Sequence, residues 1–315
     1  MLMGALVGPV RLAAGDVLRE LFGSSSALSE RDAAILWQIR VPRVVLGGLV
    51  GAMLAVAGAA YQGAFRNPLA DPYLLGVAAG AGLGVTIAIA YLPRDTWPVD
   101  PLPVAAFIGG VAGVSATYLL GRSAGRTRST VSLILAGVAI ASFLTALQTY
   151  VQQRNADTVQ EVYVFILGTL ATVGWREVVL VLPYVAVSGI ALILHRRLLD
   201  VLSLGDEEAD ALGVNATRVR LIVVLAATMG TAAAVAVSGL IAFVGIIVPH
   251  TIRLLWGTSY RVIVPLSIAF GATFLVCADL IARTVLAPAE IPIGVVTAFF
   301  GAPFFLVVLR AARRV

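Results

Sequence analysis

Arg40 and Arg43 bracket Val41-Pro42 at the start of an apolar run, and Arg283 stands four residues after Asp279 near the end of another. A guanidinium is always charged and offers a planar fork of donors, so an exposed arginine at a membrane face is a ready partner for a carboxylate on another protein. The same residues could instead anchor lipid phosphates, or Asp279 and Arg283 could pair internally, since residues four apart share a helix face. Asp279 is an ionisable group inside an apolar run and a functional candidate on that ground. With Arg283 one turn away, pairing is its expected role.

A second constellation lies in the longest polar insertion, Leu202 to Val214. Asp206 can cap a short helix, Glu207 and Glu208 suit its positive N-terminal end, and Gly213 can supply the left-handed residue that closes it. Leu204, Ala209 and Leu212 would then share an apolar side facing away from Glu207 and Asp210. A small amphipathic helix of this kind fits a groove on a partner protein, or it lies against its own chain. His250, in Val248-Pro249-His250-Thr251-Ile252-Arg253, could shuttle protons, although a lone histidine at a helix end more often bonds a backbone carbonyl.

Other chemistries are excluded by residue types that are absent. All 22 Lys+Arg residues are arginine. Without lysine the chain cannot be a P-loop ATPase, nor can it form a Schiff base. The single cysteine, Cys277, forbids an intrachain disulfide and leaves no cysteine-based metal or cluster site; in its apolar run it is expected to be a small buried hydrophobe. His195 and His250 are too few and too far apart for a zinc centre. No metal and no cofactor are expected.

The elements that must position these residues follow from composition. The 315 residues are 60% apolar and 12% charged with a mean hydropathy of +0.98, whereas soluble chains run about 45–50% apolar and about 25% charged. A water-soluble fold could not cover that much apolar surface, so soluble enzymes and nucleic-acid binders are excluded despite a pI of 9.8. The expected fold is an all-α polytopic membrane protein forming a single domain over residues 1–315.

A bilayer core takes roughly 20 apolar residues per helix, and nine runs qualify, near 39–65, 73–92, 102–121, 129–151, 177–195, 219–239, 241–256, 262–282 and 291–309. Only Ser238-Gly239 separates the sixth from the seventh. Residues 196–218 form the long loop that carries the short helix. One alternating set of loop arginines (Arg66; Arg122, Arg126, Arg128; Arg196, Arg197, Arg218, Arg220; Arg253, Arg261; Arg310, Arg313, Arg314) holds 13, and the opposite set (Arg94; Arg154, Arg176; Arg283) holds four. Positive-inside asymmetry therefore puts the first set and the C-terminus in the cytoplasm.

Counting back through nine spans places residues before Trp37 outside. Residues 1–36 are then expected to be the outer end of a truncated first helix followed by an external segment, or, alternatively, a short interfacial segment. Glycines four apart at Gly47 and Gly51, Gly80 and Gly84, and Gly109 and Gly113 predict close helix contacts. Five crossings separate the start of the first span from the start of the sixth, so the first four spans and the last four begin on opposite sides, which permits an inverted repeat.

Several ordered stretches together resemble one family, the FecCD-type permeases of type II ABC importers. They are Trp37-Gln38-Ile39-Arg40-Val41-Pro42-Arg43; Gly58 to Gln62 with Arg66-Asn67-Pro68-Leu69-Ala70-Asp71-Pro72 and Leu75-Gly76; Leu204-Gly205-Asp206 with Leu212-Gly213; Gly239 to Gly245; Pro249-His250 to Arg253; Ala278-Asp279 to Arg283; and Glu290-Ile291-Pro292-Ile293-Gly294 through Gly301-Ala302-Pro303-Phe304. The resemblance runs from about residue 37 to the end.

It implies about ten transmembrane helices, nine complete here, in a non-catalytic permease of a bacterial inner membrane that imports a ferric siderophore, cobalamin or haem. The implied partners are a second permease chain, with a homodimer expected, two ABC ATPase subunits and a periplasmic or lipid-anchored substrate-binding protein. The family's ATPase-coupling segment falls on Gly205, Asp206, Glu207, Glu208, Ala209, Leu212 and Gly213. Its docking arginines fall on Arg40, Arg43 and Arg283, and its inner gate near Asn67, Leu69, Ser129 and Thr130. An ion-coupled secondary transporter is the alternative, but it would want several intramembrane carboxylates or histidines, and a prenyl transferase would want paired aspartate clusters.

Overall fold

The structure, a computed structural model, describes residues 2–8, 10, 12–23, 28–93, 100–123, 130–171 and 173–312, and among them no strand occurs. The chain begins with α1 (Leu2–Leu6), α2 (Ala14–Phe22) and α3 (Glu30–Ala34), and α3 runs through a π-helical turn, Ile35–Arg40, into α4 (Val41–Phe65). Then come α5 (Val77–Tyr91), α6 (Pro101–Ser123), α7 (Thr130–Arg154), α8 (Val159–Leu167), α9 (Trp175–Leu204), α10 (Asp206–Ala211), α11 (Ala216–Ser238), α12 (Val244–Trp256), α13 (Tyr260–Thr284) and α14 (Ile293–Ala312). Starts are set locally: the Ser29, Asn215 and Ser259 side chains each accept a backbone N–H of the first turn that follows.

A helix falls on each of the nine apolar runs. Six are long and apolar enough to cross a bilayer, while α5, α12 and the apolar stretch Ile293–Val308 of α14 are shorter. The expectation of nine complete spans is thus refined to six full-length and three short helices. The polar break after Arg154 also holds α8, which nine residues made too short to register as a span.

α4 is the axis of the bundle. It is apolar on all sides, and none of its residues is exposed. Glycine lets its neighbours close in: a Cβ on Gly51 would lie 2.3 Å from the Gly271 carbonyl oxygen of α13, and one on Gly58 would lie 2.1 Å from that of Gly245 in α12. α5 and α6 meet in the same way through Gly80 and Gly109. Where lipid is as apolar as leucine, such backbone approach gives helices a reason to associate.

The short helices begin or end at non-helical joints that bond to one another. The Thr169 amide donates to the Ser238 carbonyl (2.9 Å), Leu240 to Phe165 (3.3 Å) and Ile293 to Gly168 (3.1 Å), while the Tyr73 hydroxyl bonds both the amide and the carbonyl of Ile241. Irregular backbone survives at membrane depth only when protein satisfies it this way. The break between α11 and α12 is accordingly wider than Ser238-Gly239, running to Phe243 at φ 71°.

Two further expectations are corrected. α9 continues to Leu204, so the loop placed at 196–218 is confined to the residues between Leu204 and Ala216. Cys277 is exposed on α13 instead of buried, because the face of α13 turned inward carries Val276, Ala278 and Asp279.

Candidate functional site

Charged side chains concentrate at the two ends of α4. At its first turn, Arg43 is 5% exposed and grips two carboxylates. Its Nη2 lies 2.7 Å from Asp279 Oδ1 and 2.9 Å from Glu290 Oε2, its Nη1 lies 2.9 Å from Glu290 Oε1, and its Nε donates to Asp279 at 3.0 Å. Arg283 is 2% exposed; its Nη2 donates to the Gly4 carbonyl at 2.7 Å, and its Nε stands 3.4 Å from Asp279 Oδ2. Arg40, 3% exposed, donates to the carbonyls of Ala5, Leu6 and Val10 and so closes the end of α1.

The expected docking role rested on these three arginines being exposed, and they are not. Most of their donors are engaged by this chain's own carboxylates and carbonyls, with Arg283 Nε left to its 3.4 Å ion-pair contact, since a buried charge without partners is costly. Asp279 does pair, as its spacing suggested, but its shortest contact is with Arg43 on α4. Glu290, which had no separate role in the sequence reading, completes the knot.

At the far end of α4, Arg66 takes the left-handed conformation that ends the helix, at φ 51°. The Asn67 amide donates to the Gln62 carbonyl at 3.1 Å, and Asn67 Oδ1 accepts the Leu69 amide at 2.9 Å. Asn67 and Leu69, two of the expected gate residues, therefore share one hydrogen-bonded corner. Gln62 ties this corner to α12, donating to the Gly245 carbonyl at 2.9 Å and accepting from Arg253 at 3.0 Å. Ser129 lies outside the described residues, and Thr130 is the first residue of α7. His250 meets Phe304 edge-on at 5.8 Å between ring centroids.

The segment Gly205 to Gly213 packs beside the corner. α10 is closed by the left-handed residue expected at Gly213, which sits at φ 77° and completes a double hydrogen bond: its amide donates to the Asp210 carbonyl at 2.9 Å and that of Val214 to the Ala209 carbonyl at 2.9 Å. Asp206 does not cap. The N-terminal flank is Gly205 at φ 144°, over which the Glu208 carboxylate folds. Asp206 instead receives Arg220 on both oxygens, at 2.8 and 3.2 Å, with Arg66 Nη2 at 3.4 Å. The hydrogen bonds from Arg220 hold its carboxyl below the usual carboxylate range.

Ala209 is fully buried against its own chain, so the apolar side expected of Leu204, Ala209 and Leu212 is divided. Leu204 and Leu212 remain 62% and 63% exposed, with Glu207 and Glu208 also exposed. Leucines held outward by a locked helix make an apolar spot on a polar surface, which suits a partner's groove. Arg220 entered the sequence reading only as a loop charge, and Arg66 as a loop charge and the start of the family-like stretch to Pro72; no spacing pattern links either to Asp206.

With this geometry in place, similarity to known proteins can be set beside it. The sequence pattern of the FecCD transport family matches residues 1–311. The uncharacterized ABC transporter permease protein YvrB of Bacillus subtilis is 41% identical over 281 residues, 89% of this chain and 80% of that protein. The cobalamin import system permease protein BtuC of Halobacterium salinarum is 40% identical over 281 residues, 89% of this chain and 74% of that one. A solved structure described as an inward-facing conformation of a metal-chelate type ABC transporter superimposes with a TM-score of 0.82 at 30% identity, covering 90% of each chain.

Proposed function

The chain belongs to the FecCD transport family, and from that premise we propose that it is the permease of an ATP-driven importer for a ferric chelate. Its part is a passage, with hydrolysis left to a separate ATPase subunit. Cobalamin ranks second as cargo and haem third. Relatives named for cobalamin and for iron(3+)-hydroxamate import, each 40% identical, support the first two.

The single observation that carries the coupling role is the pair Leu204 and Leu212, exposed at the two ends of a locked α10. In this reading α10 and the C-terminus face the cytoplasm, as the 13-to-four arginine asymmetry supports. The nine helices make nine crossings, two such chains pair, two ATPase subunits seat on α10 and its copy, and a substrate-binding protein delivers cargo at the opposite face. An ion-coupled carrier finds less support, because Asp279 is already saturated by Arg43 and Arg283.

The test is Leu212→Asp, which would put an unpaired charge into the partner's groove at a cost of several kcal/mol. The expected variant inserts normally but neither copurifies with the ATPase nor transports. Transport intact in that variant would overturn the assignment. For the cargo, the cognate binding protein is titrated with a ferric siderophore, cobalamin and haem, and a clear preference for cobalamin or haem would replace the ferric chelate.

A further inference from the structure

Three features meet at the corner where α4 ends. Pro68 has no N–H, so the Ala64 carbonyl, four residues earlier, has no backbone donor from within the helix. Arg220 Nε fills that vacancy at 2.8 Å from the first turns of α11, while the rest of the same guanidinium holds Asp206, the first residue of α10. Arg66, which carries a left-handed backbone that a side chain ordinarily avoids, points back to the same carboxylate at 3.4 Å. One carboxylate thus joins the short helix to the end of α4, and Asn67 and Leu69 follow in the same hydrogen-bonded turn.

We propose that Asp206, through Arg220 and Arg66, is the link that carries displacement of α10 to the Asn67–Leu69 turn. This rests on α10 being the ATPase-facing segment. Asp206 is a positioning residue: it touches neither nucleotide nor cargo. Ala209 anchors α10 to the α9 and α11 side by burial, whereas Asp206 ties it to α4. Because the guanidinium is shared between the α4 terminus and the α10 start, the two cannot separate without breaking its hydrogen bonds. The link is directional, made of short bonds at fixed angles, and so resists shear better than apolar contact alone.

The experiment uses the whole transporter reconstituted in liposomes, comparing the native chain with Asp206→Asn and Asp206→Glu. Three quantities are read: copurification of the ATPase, ATP turnover, and cargo moved per ATP hydrolysed. With Asp206→Asn, cargo per ATP should fall about fivefold, the upper size of effect for a partly exposed ion pair, independently of any change in turnover. Asp206→Glu, which keeps the charge, should recover most of it. An unchanged ratio in Asp206→Asn, or loss of the ATPase from the complex, would overturn the link. If the native chain itself recruits no ATPase, the permease reading fails first, and that outcome is separate.

Discussion

The two ends of α4 hold clusters built from the same residue types, arginine and carboxylate, in opposite surroundings. Around Arg43 the side chains are 2–6% exposed except for Glu290, and every charge faces another part of the same chain. Around Asp206 the three side chains are 20–44% exposed, and the apolar leucines beside them are free. Burial decides what such a cluster can do. A dry ionic knot holds elements in one arrangement, because removing one member strands the others; a half-wet cluster can yield and re-form, as a moving joint must.

That contrast predicts a large effect first. Arg43→Met leaves Asp279 and Glu290 without their shared partner and should cost about 3–5 kcal/mol, read as a steep fall in the melting temperature of the detergent-solubilised chain. Adding Glu290→Gln should restore part of it, since one of the two stranded carboxylates is then neutral while Asp279 keeps its contact with Arg283. A melting temperature unmoved by Arg43→Met would show the knot to be as soft as the opposite corner.

A smaller change of opposite sign is expected from Arg66→Gly. Glycine adopts the left-handed C-terminal position without penalty, so the fold should gain on the order of 1 kcal/mol. The loss of its contact with Asp206 should meanwhile lower the cargo moved per ATP. Stability and coupling moving together, in either direction, would break the distinction between the two ends.

Salt supplies the mildest test. Raising ionic strength toward 1 M shortens the screening length from about 8 to about 3 Å. The coupling ratio of the native transporter should fall modestly, while the melting penalty of Arg43→Met stays constant, because screening ions do not enter a dry site. A salt-dependent Arg43 penalty would place that site in water.

Much of the molecule was legible in its residues. The nine apolar runs and the left-handed closure at Gly213 depend on local composition and local backbone preference, which sequence states directly. The close approach of glycine at 51, 80 and 109 follows from the absence of a side chain, though the partner surfaces do not. The π-helical entry to α4 and the short α8 were hidden, because hydropathy does not register six or nine residues. Exposure at Arg40, Arg43 and Arg283 was misjudged because a charge at a helix end looks solvated until the elements that cover it are known.

By itself, the sequence determined the class of protein and the order of its apolar helices, and it excluded a P-loop ATPase within the chain, since each depends on which residue types occur and how they are spaced. Only the tertiary structure decided that Arg43 belongs to Asp279 and Glu290, 236 and 247 positions away, and that Arg220 reaches both Ala64 and Asp206. Those pairings depend on which helix packs beside which. Packing is set by shape complementarity along whole helices, and the charges inside then find whatever partner the packed backbone brings within hydrogen-bonding distance.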